Sequence, residues 1–310
     1  MILTVTLNTS IDKLYLMEKI RPETVMRVKE VHNTAGGKGL NVSRVAAKLG
    51  EEVTAAGFIG GYNGRYLESL VDHPLIHCAF THVNAETRSC INCWDLSDGK
   101  STEYLEPGAP VTPEDTARFL TDFDRALTDA DIVTLSGSIP EGTPEDIYCD
   151  LIVRCRRAGI PVLVDTSGNR LISAVKERPF LIKPNEDEIV QLTGRSFSGL
   201  PDAAQALMNL VGNGIAFAVL SLGEAGALLA CGEGVYHGRP PKIIPRNTVG
   251  CGDSMLAGFA VGFARSLSVA DTFRMALAVS AASALSLFTG NFDQADYDRL
   301  YPEITMEKIR

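Results

Sequence analysis

The feature that most constrains the fold is a strict alternation of short apolar runs with helix starts, which begins at about residue 112. Thr112 and Thr143 each stand before Pro-Glu-Asp. A threonine N-cap, a proline at the first helical position and acids in the first turn are typical of a helix start. The runs that read as strands lie at 132–135, 161–164, 180–182 and 217–220. This alternation predicts an α/β fold with a mostly parallel sheet flanked by helices on both faces.

The two ends of the chain differ from this middle part. Residues 1–7 read as a strand and 38–49 as a helix, whereas the polar stretches at about 12–34 and 86–106 show short alternation. We expect these two stretches to pair into a small β-sheet apart from the main body, here called the lid. Towards the C-terminus, 254–265 and 270–287 are apolar and predict two buried helices. Gly258 and Gly262 in the first of them would allow another backbone to approach closely.

Composition and charge argue against several classes of protein. The formal net charge of −9 is unlike that of a general nucleic-acid binder. No run reaches the roughly 20 apolar residues that span a bilayer, and the N-terminus lacks the basic segment of a signal peptide. Seven cysteines, an odd number, argue against a disulfide framework and predict a cytoplasmic protein.

Cys90 and Cys93 form a C-x-x-C pair, which a redox or metal protein would also contain. No second pair and no histidine pair follows at the spacing of zinc ligands. The pair also lies in an alternating run and not after a strand-to-helix turn. We therefore interpret both cysteines as small residues of a strand.

The strongest motif is the segment 247–254, which leads directly into the first of the two buried helices. Gly250 and Gly252 let backbone N–H groups turn towards one point, and a helix N-terminus adds about half a positive charge there. The motif therefore predicts an anion hole. Asp253 at this point would repel a phosphate, but it makes chemical sense as the base that takes a proton from an attacking hydroxyl. The alternative is a glycine turn in which Asp253 is only an N-cap.

Three weaker motifs follow predicted strands or precede predicted helices. Lys38 and Asn41 accompany the glycines of 36–39, a cluster that is neither a P-loop nor a dinucleotide-binding motif. Asn185 and Glu188, three residues apart, could hold a hydrated magnesium ion or could simply be surface charges at a helix start. The segment 221–226 is interpreted as a tight turn into the next strand whose amides could touch phosphate.

These motifs are expected to converge, because parallel strands end at one edge of a sheet and open α/β sheets bind ligands there. The segments concerned are Asp12, 36–39, 136–138, 183–188, 221–226 and 250–253. Arg27 and Arg88 lie in the two lid stretches, where a lone arginine is usually a solvated side chain.

The glycine run 36–41 and the segment 248–253 resemble the two signatures of the ribokinase-like, or PfkB, carbohydrate kinases, and 183–188 resembles their magnesium-associated N-x-x-E motif. The resemblance covers essentially the whole chain. It implies a single kinase domain over 1–310 with a β lid that often serves dimerisation. It also implies ATP and Mg²⁺ as cofactors, a small-molecule sugar substrate, and neither a nucleic-acid nor a membrane partner.

The same resemblance implies roles for individual residues. Asp253 would be the base, with Gly250, Cys251 and Gly252 forming the anion hole. Contacts to the sugar phosphate would come from Asp12, Arg27, Gly37, Lys38, Asn41, Arg88, Cys90 and Ser138. The nucleotide would face Lys183, Asn185, Ser221, Gly223, Gly226, Gly250 and Gly252. Glu188 would act on Mg²⁺ through water.

Within the family, the segment 6–12 and the pair Thr87-Arg88 resemble the phosphosugar branch of 1-phosphofructokinases and tagatose-6-phosphate kinases. The runs 86–91 and 102–108 are more similar to the tagatose-6-phosphate kinases, which make tagatose 1,6-bisphosphate. Two positions depart from the pattern. Cys251 stands where the family usually has alanine, and Thr9 where this branch usually has proline, which puts the rigidity of that loop in doubt.

Three rival functions stay open at this point. A kinase of an unphosphorylated sugar or of a nucleoside would not need the three cations Arg27, Lys38 and Arg88. A sugar-phosphate sensor without turnover would not need Asp253. A redox protein would depend on Cys90 and Cys93.

Overall fold

Fourteen strands divide into a sheet of ten and a sheet of four in the computed structural model, which describes residues 1–310. The strands are Ile2–Thr6 (β1), Ser10–Met17 (β2), Glu30–Gly36 (β3), Val53–Gly60 (β4), Ile76–Val83 (β5), Arg88–Asp95 (β6), Lys100–Leu105 (β7), Ile132–Ser136 (β8), Val162–Asp165 (β9), Leu181–Ile182 (β10), Phe217–Ser221 (β11), Ala227–Cys231 (β12), Gly234–Arg239 (β13) and Thr305–Lys308 (β14). The helices are Lys38–Lys48 (α1), Gly61–Leu70 (α2), Pro113–Leu127 (α3), Ile147–Ala158 (α4), Gly168–Lys176 (α5), Glu186–Thr193 (α6), Leu200–Gly212 (α7), Cys251–Ala264 (α8), Val269–Ala284 (α9) and Gln294–Leu300 (α10).

The large sheet is parallel over most of its width. Its order is β14-β13-β12-β11-β10-β9-β8-β1-β4-β5, and only β12, β13 and β14 run antiparallel to their neighbours. Helices and two separate hydrophobic clusters cover its faces. The predicted α/β fold is confirmed. The chain leaves β1 first towards β4 and later towards β8, so the sheet has a switch point between β1 and β8, where open α/β sheets bind ligands.

The two apolar helices near the C-terminus pack tightly against each other. A Cβ atom on Gly258 would lie 2.5 Å from Ala276 Cα, and one on Gly262 would lie 2.6 Å from Thr272 Cγ2. These glycines therefore allow α8 to approach α9 closely, as the sequence predicted. No helix is both long and apolar enough to cross a membrane.

The lid is the four-stranded sheet β3-β2-β6-β7, and it comes from the two stretches that the sequence indicated. Its register places two rows of side chains on one face. The first row is Thr34, Asp12, Cys90 and Leu105, and the second is His32, Leu14, Asn92 and Glu103. This inner face covers the carboxyl ends of the parallel strands, since both rows line the same pocket as those ends.

The two Thr-Pro-Glu-Asp segments fold differently. Thr112 caps α3 in a capping box with Asp115, as predicted. Thr143 does not start a helix, because two successive turns close first, through Thr143 N–H to the Pro140 carbonyl and Ile147 N–H to the Pro144 carbonyl. Helix α4 therefore begins four residues later, at Ile147, after Asp146.

Candidate active site

A pocket of about 590 Å³ lies at the carboxyl ends of β1, β8, β9, β10 and β11, beneath the lid. Most of the residues singled out from the sequence line it. They are Asp12, Gly37, Lys38, Asn41, Arg88, Cys90, Ser138, Lys183, Asn185, Glu188, Ser221, Gly250, Gly252 and Asp253. The expected convergence at one sheet edge is therefore what the structure shows.

The N-terminus of α8 presents open backbone N–H groups on the pocket wall. Gly250 is its N-cap, with φ of 82°, and no side chain caps the helix. The N–H groups of Gly252 and Asp253 have no backbone acceptor, as expected for a first helical turn. A side chain on Gly250 would be strained at this φ and would come within 3.4 Å of Thr289 Cβ. Asp253 is thus the third residue of the helix and not its cap.

Asp253 is only 5% exposed, and Asn41 Nδ2 donates a hydrogen bond of 2.7 Å to its Oδ2. Burial raises the pKa of Asp253 to about 6, although the positive charge of Lys38 and the bond from Asn41 oppose the rise. The nearby carboxylate of Asp165 adds to it. A carboxylate with a pKa near neutrality is suited to accept a proton at physiological pH.

Asp165 is a site residue that the sequence reading missed. It is 2% exposed at the end of β9, with its carboxylate 3.4 Å from Lys38 Nζ and 3.1 Å from Lys183 Nζ. Burial by itself would raise the pKa of Asp165, but Lys183 and Lys38 hold it below its usual value. Asp165 in turn raises the pKa of Lys38. An acid directly after the apolar run 161–164 was the available signal.

The glycine cluster brings α1 close to β1 and to the lid. A Cβ atom on Gly36 would lie 2.1 Å from the Asp12 carboxyl carbon, and one on Gly39 would lie 2.6 Å from the Val5 carbonyl oxygen. Ser10 Oγ donates a bond of 2.6 Å to Asp12. Burial raises the pKa of Asp12, which Ser10 and nearby arginines counteract.

Arg88 joins the lid to the loop after β1. Its guanidinium donates to the Glu106 carbonyl at 2.8 Å and to the Asn8 carbonyl at 3.0 Å, while its Nε is buried without a partner. Asn8 Nδ2 in turn donates to Ser138 Oγ at 3.1 Å. Thr9, where proline was expected, is tied down by a bond of 2.6 Å from its hydroxyl to the Phe58 carbonyl. This loop is therefore anchored without a proline.

Asn185 and Glu188 form a capping box at the start of α6, each side chain accepting from the other residue's N–H at 2.8 and 2.9 Å. Glu188 Oε2 is the oxygen in that bond, so Oε1 is left for a ligand. The protein has no cluster of three or more acidic, histidine or cysteine side chains that could enclose a metal. The donors fit a magnesium ion that keeps most of its waters and binds phosphate oxygens.

Four of the candidate residues lie outside the pocket lining. Arg27 is exposed in the connection between β2 and β3. Gly223 and Gly226 bound the tight turn between β11 and β12, and a Cβ atom on Gly226 would lie 2.0 Å from the Gly238 carbonyl oxygen. Gly226 therefore has a packing role. The side chain of Cys251 turns towards the Asn247 carbonyl, at 3.8 Å, and burial raises the pKa of this thiol to about 12.

The cysteine pair does not form a redox or metal site. Cys90 faces the pocket, whereas Cys93, three positions along the same strand, points to the opposite face of the lid. All seven cysteines are free. The interpretation of both residues as strand positions fits this geometry.

Comparisons with known proteins show the family of this chain. Residues 4–294 match the family model of the pfkB family carbohydrate kinases.

Phosphofructokinase-2 from Escherichia coli in complex with fructose-6-phosphate is similar in structure, with a TM-score of 0.89 and 28% sequence identity over 97% of this chain and 98% of that one. The tetrameric inhibited form of the same enzyme has a TM-score of 0.90 and 29% sequence identity over 97% of this chain and 98% of that one. A possible 1-phosphofructokinase from Thermotoga maritima has a TM-score of 0.85 and 27% sequence identity over 100% of this chain and 99% of that one.

Proposed function

Because this chain belongs to the pfkB family of carbohydrate kinases, we propose that it transfers the γ-phosphoryl group of ATP to a hydroxyl of a ketohexose phosphate, with tagatose 6-phosphate as substrate and tagatose 1,6-bisphosphate as product. One observation carries the proposal. Asp253, a buried carboxylate with a pKa of about 6, lies in the first turn of α8, beside open backbone N–H groups and opposite two lysines.

In this reaction Asp253 takes the proton of the acceptor hydroxyl as the oxygen attacks phosphorus and the bond to the ADP oxygen breaks. The N–H groups of Gly252 and Asp253 stabilise negative charge on the transferring group. Lys38 and Lys183, both paired with Asp165, supply positive charge at the end of β9. Glu188 and Asn185 would hold hydrated Mg²⁺, which when bound neutralises charge on the nucleotide phosphates.

Positive charge beneath the lid supports a phosphorylated substrate. Arg88 and Lys38 both line the pocket. The two runs that resemble tagatose-6-phosphate kinases are held together around Arg88, because Ser89 N–H donates to the Glu106 carboxylate at 2.7 Å and Arg88 donates to the Glu106 carbonyl. The similar enzyme from Escherichia coli was crystallised with fructose-6-phosphate, which is also a ketohexose 6-phosphate.

Fructose 1-phosphate is the second candidate substrate, because the similar protein from Thermotoga maritima is named for that activity. An ADP-release assay with ATP and Mg²⁺ should compare tagatose 6-phosphate, fructose 6-phosphate, fructose 1-phosphate, fructose and ribose. We expect turnover with the phosphosugars alone and the largest kcat/KM with tagatose 6-phosphate. Turnover only with the free sugars would reject the phosphosugar assignment. Absence of turnover with all five compounds would favour a sugar-phosphate sensor.

Replacement of Arg88 by alanine should raise the KM for the sugar phosphate by about ten- to a hundredfold, because a charge-assisted hydrogen bond is lost. The KM for ATP should stay near its wild-type value. Steady-state kinetics that vary each substrate in turn would measure both constants. An equal loss of kcat/KM with an unphosphorylated sugar would mean that Arg88 does not bind the phosphate.

The pH dependence of kcat/KM, which reports the free enzyme, should show an acid limb with a midpoint near 6. Asp253 can accept a proton only as a carboxylate, so activity is low below this pKa and rises as the pH rises through it. A pH–rate profile of the wild-type enzyme would measure the midpoint. A profile that stays flat down to pH about 5 would contradict the role of Asp253.

The outer face of the lid supports a homodimer. The register places Val31, Tyr15 and Cys93 in one outward row and Ile91 beside Tyr104 in the next. Val31 and Tyr104 are 52% and 61% exposed. Sedimentation should show a dimer that a Tyr104→Lys variant weakens, whereas a monomer at all concentrations would refute the pairing.

The cytoplasmic location stays a prediction from the cysteine count.

A further inference from the structure

Arg44 contacts three elements that meet beside the site. It lies on α1, two positions beyond Val42, and its guanidinium donates to the carbonyl of Ala35 near the end of lid strand β3. The same group donates to Asn41 Oδ1 at 2.5 Å and to the Thr289 carbonyl, in the loop after α9, at 3.2 Å. No acidic side chain pairs with it within salt-bridge distance, so its contacts are all with neutral acceptors.

The space around this group is filled. A Cβ atom on Gly290 would lie 2.7 Å from an Arg44 guanidinium nitrogen and 2.8 Å from Asn41 Cα. Gly290 also has φ of 59°, a conformation that favours glycine. The loop after α9 is therefore packed directly against the arginine and the asparagine, which leaves the guanidinium little freedom to move.

The contact with Arg44 decides which way the amide of Asn41 points. A guanidinium only donates hydrogen bonds, and an amide has one oxygen that accepts and one nitrogen that donates. With Oδ1 facing Arg44, Nδ2 faces Asp253 Oδ2 at 2.7 Å. The flipped amide would set its oxygen against the carboxylate and its NH₂ group against the guanidinium. Both contacts would be repulsive.

We propose that Arg44 is a positioning residue for Asp253. Arg44 acts through the amide of Asn41 and links the base to lid strand β3. The inference rests on the proposed kinase function, because it requires Asp253 to be the base. Arg44 does not itself line the pocket. Its effect should therefore appear in kcat and in the protonation of Asp253, and not in the binding of ATP.

Other charges also act on Asp253 and must be kept constant in the test. Lys38 from α1 and Lys183 from the end of β10 lower its pKa, whereas Asp165 from β9 raises it. Asp12 from the lid faces Arg44. None of these four side chains is altered in the variants below.

In Arg44→Met, kcat should fall by about ten- to a hundredfold, since misplacement of a catalytic group by about 1 Å has effects of this size. The acid limb of the pH profile should move to higher pH, because the carboxylate loses a positive charge nearby and a firmly held donor. The KM for ATP should not change. The matched control is Lys48→Met, one turn further along α1, where Lys48 binds Asn291 and Phe292 of the same loop but does not contact Asn41. It should leave kcat and the acid limb unchanged.

A double-mutant cycle separates positioning from mere structural support. In an Asn41→Ala background, Arg44→Met should lower kcat by less than about twofold, because the amide through which Arg44 acts is gone. The same loss in both backgrounds would overturn the proposal. Arg44→Lys, which keeps the positive charge and N–H donors, provides a second test if Arg44→Met does not fold. It should keep the acid limb of the wild type, and a shifted limb with reduced kcat would also overturn the proposal. Absence of turnover in the wild type would instead refute the kinase function itself.

Discussion

Replacement of Asp253 by asparagine should lower kcat by at least about a hundredfold, because a positioned base contributes about 10²- to 10⁴-fold. Asparagine has nearly the same shape and can occupy the same place in α8, but it cannot take the proton of the hydroxyl. The carboxylate is 5% exposed and enclosed by Asn41 and the helix N-terminus, so solvent has little access to replace it as a base. Binding of ATP should be retained, since the N–H groups at the helix start are unchanged.

The measurement is kcat by ADP release, together with the dissociation constant of ATP by calorimetry. Ser138→Ala is a matched control elsewhere in the pocket lining, where the hydroxyl accepts from Asn8. That variant should alter the KM for sugar more than kcat. If Asp253→Asn kept a near-normal kcat, Asp253 would not be the base, and a residual rate that no longer depends on pH near 6 would support its role.

Replacement of Asp165 by asparagine should lower the free energy of unfolding by about 3–5 kcal/mol, the usual effect of breaking a buried ion pair. Lys183 is only 5% exposed and would be left without its counter-charge. Lys38, with a side chain that is 44% exposed, can turn to water and should contribute less. The same change should move the acid limb of kcat/KM to lower pH, because Asp165 raises the pKa of Asp253. This direction is opposite to that expected for Arg44→Met.

Unfolding by urea, followed by circular dichroism, would measure the loss of stability. The matched control is Asp296→Asn, which breaks a surface pair with Arg299 at 2.8 Å and should cost less than about 1 kcal/mol. If both variants lost the same stability, the lysine pair would not depend on Asp165. A shift of the acid limb to higher pH would show that Asp165 acts on Asp253 other than by its charge.

The sequence was informative wherever the local signal matched the tertiary position. Gly36, Gly252 and Asp253 could be placed at one sheet edge because strand order brings the carboxyl ends of parallel strands together. The capping box at Thr112 was equally readable, since its chemistry is complete within four residues.

Other features depend on packing that no local signal carries. Thr143 has the same three residues after it as Thr112, yet it is buried in a turn. Asp165 is one of 38 acidic residues, and its importance comes from lysines that lie far away in sequence. Gly226 was assigned to the nucleotide. The close approach of the Gly238 carbonyl is enough to explain why this position has no side chain. For Asp165 and Gly226, contacts with other elements of the fold decide the role.

The lid has a consequence for how such a protein can diversify. Its strands belong to two insertions, here called excursions. One lies between β1 and α1 and the other between β5 and α3. Neither excursion supplies a strand to the ten-stranded sheet, and α8 with Asp253 lies more than 140 residues beyond the second. Mutations in the lid can therefore alter one wall of the pocket without changing a strand of the ten-stranded sheet, although the contact of Arg44 with Ala35 couples the lid to α1. Selection can therefore act on the four-stranded sheet while the ten-stranded sheet is inherited with little change.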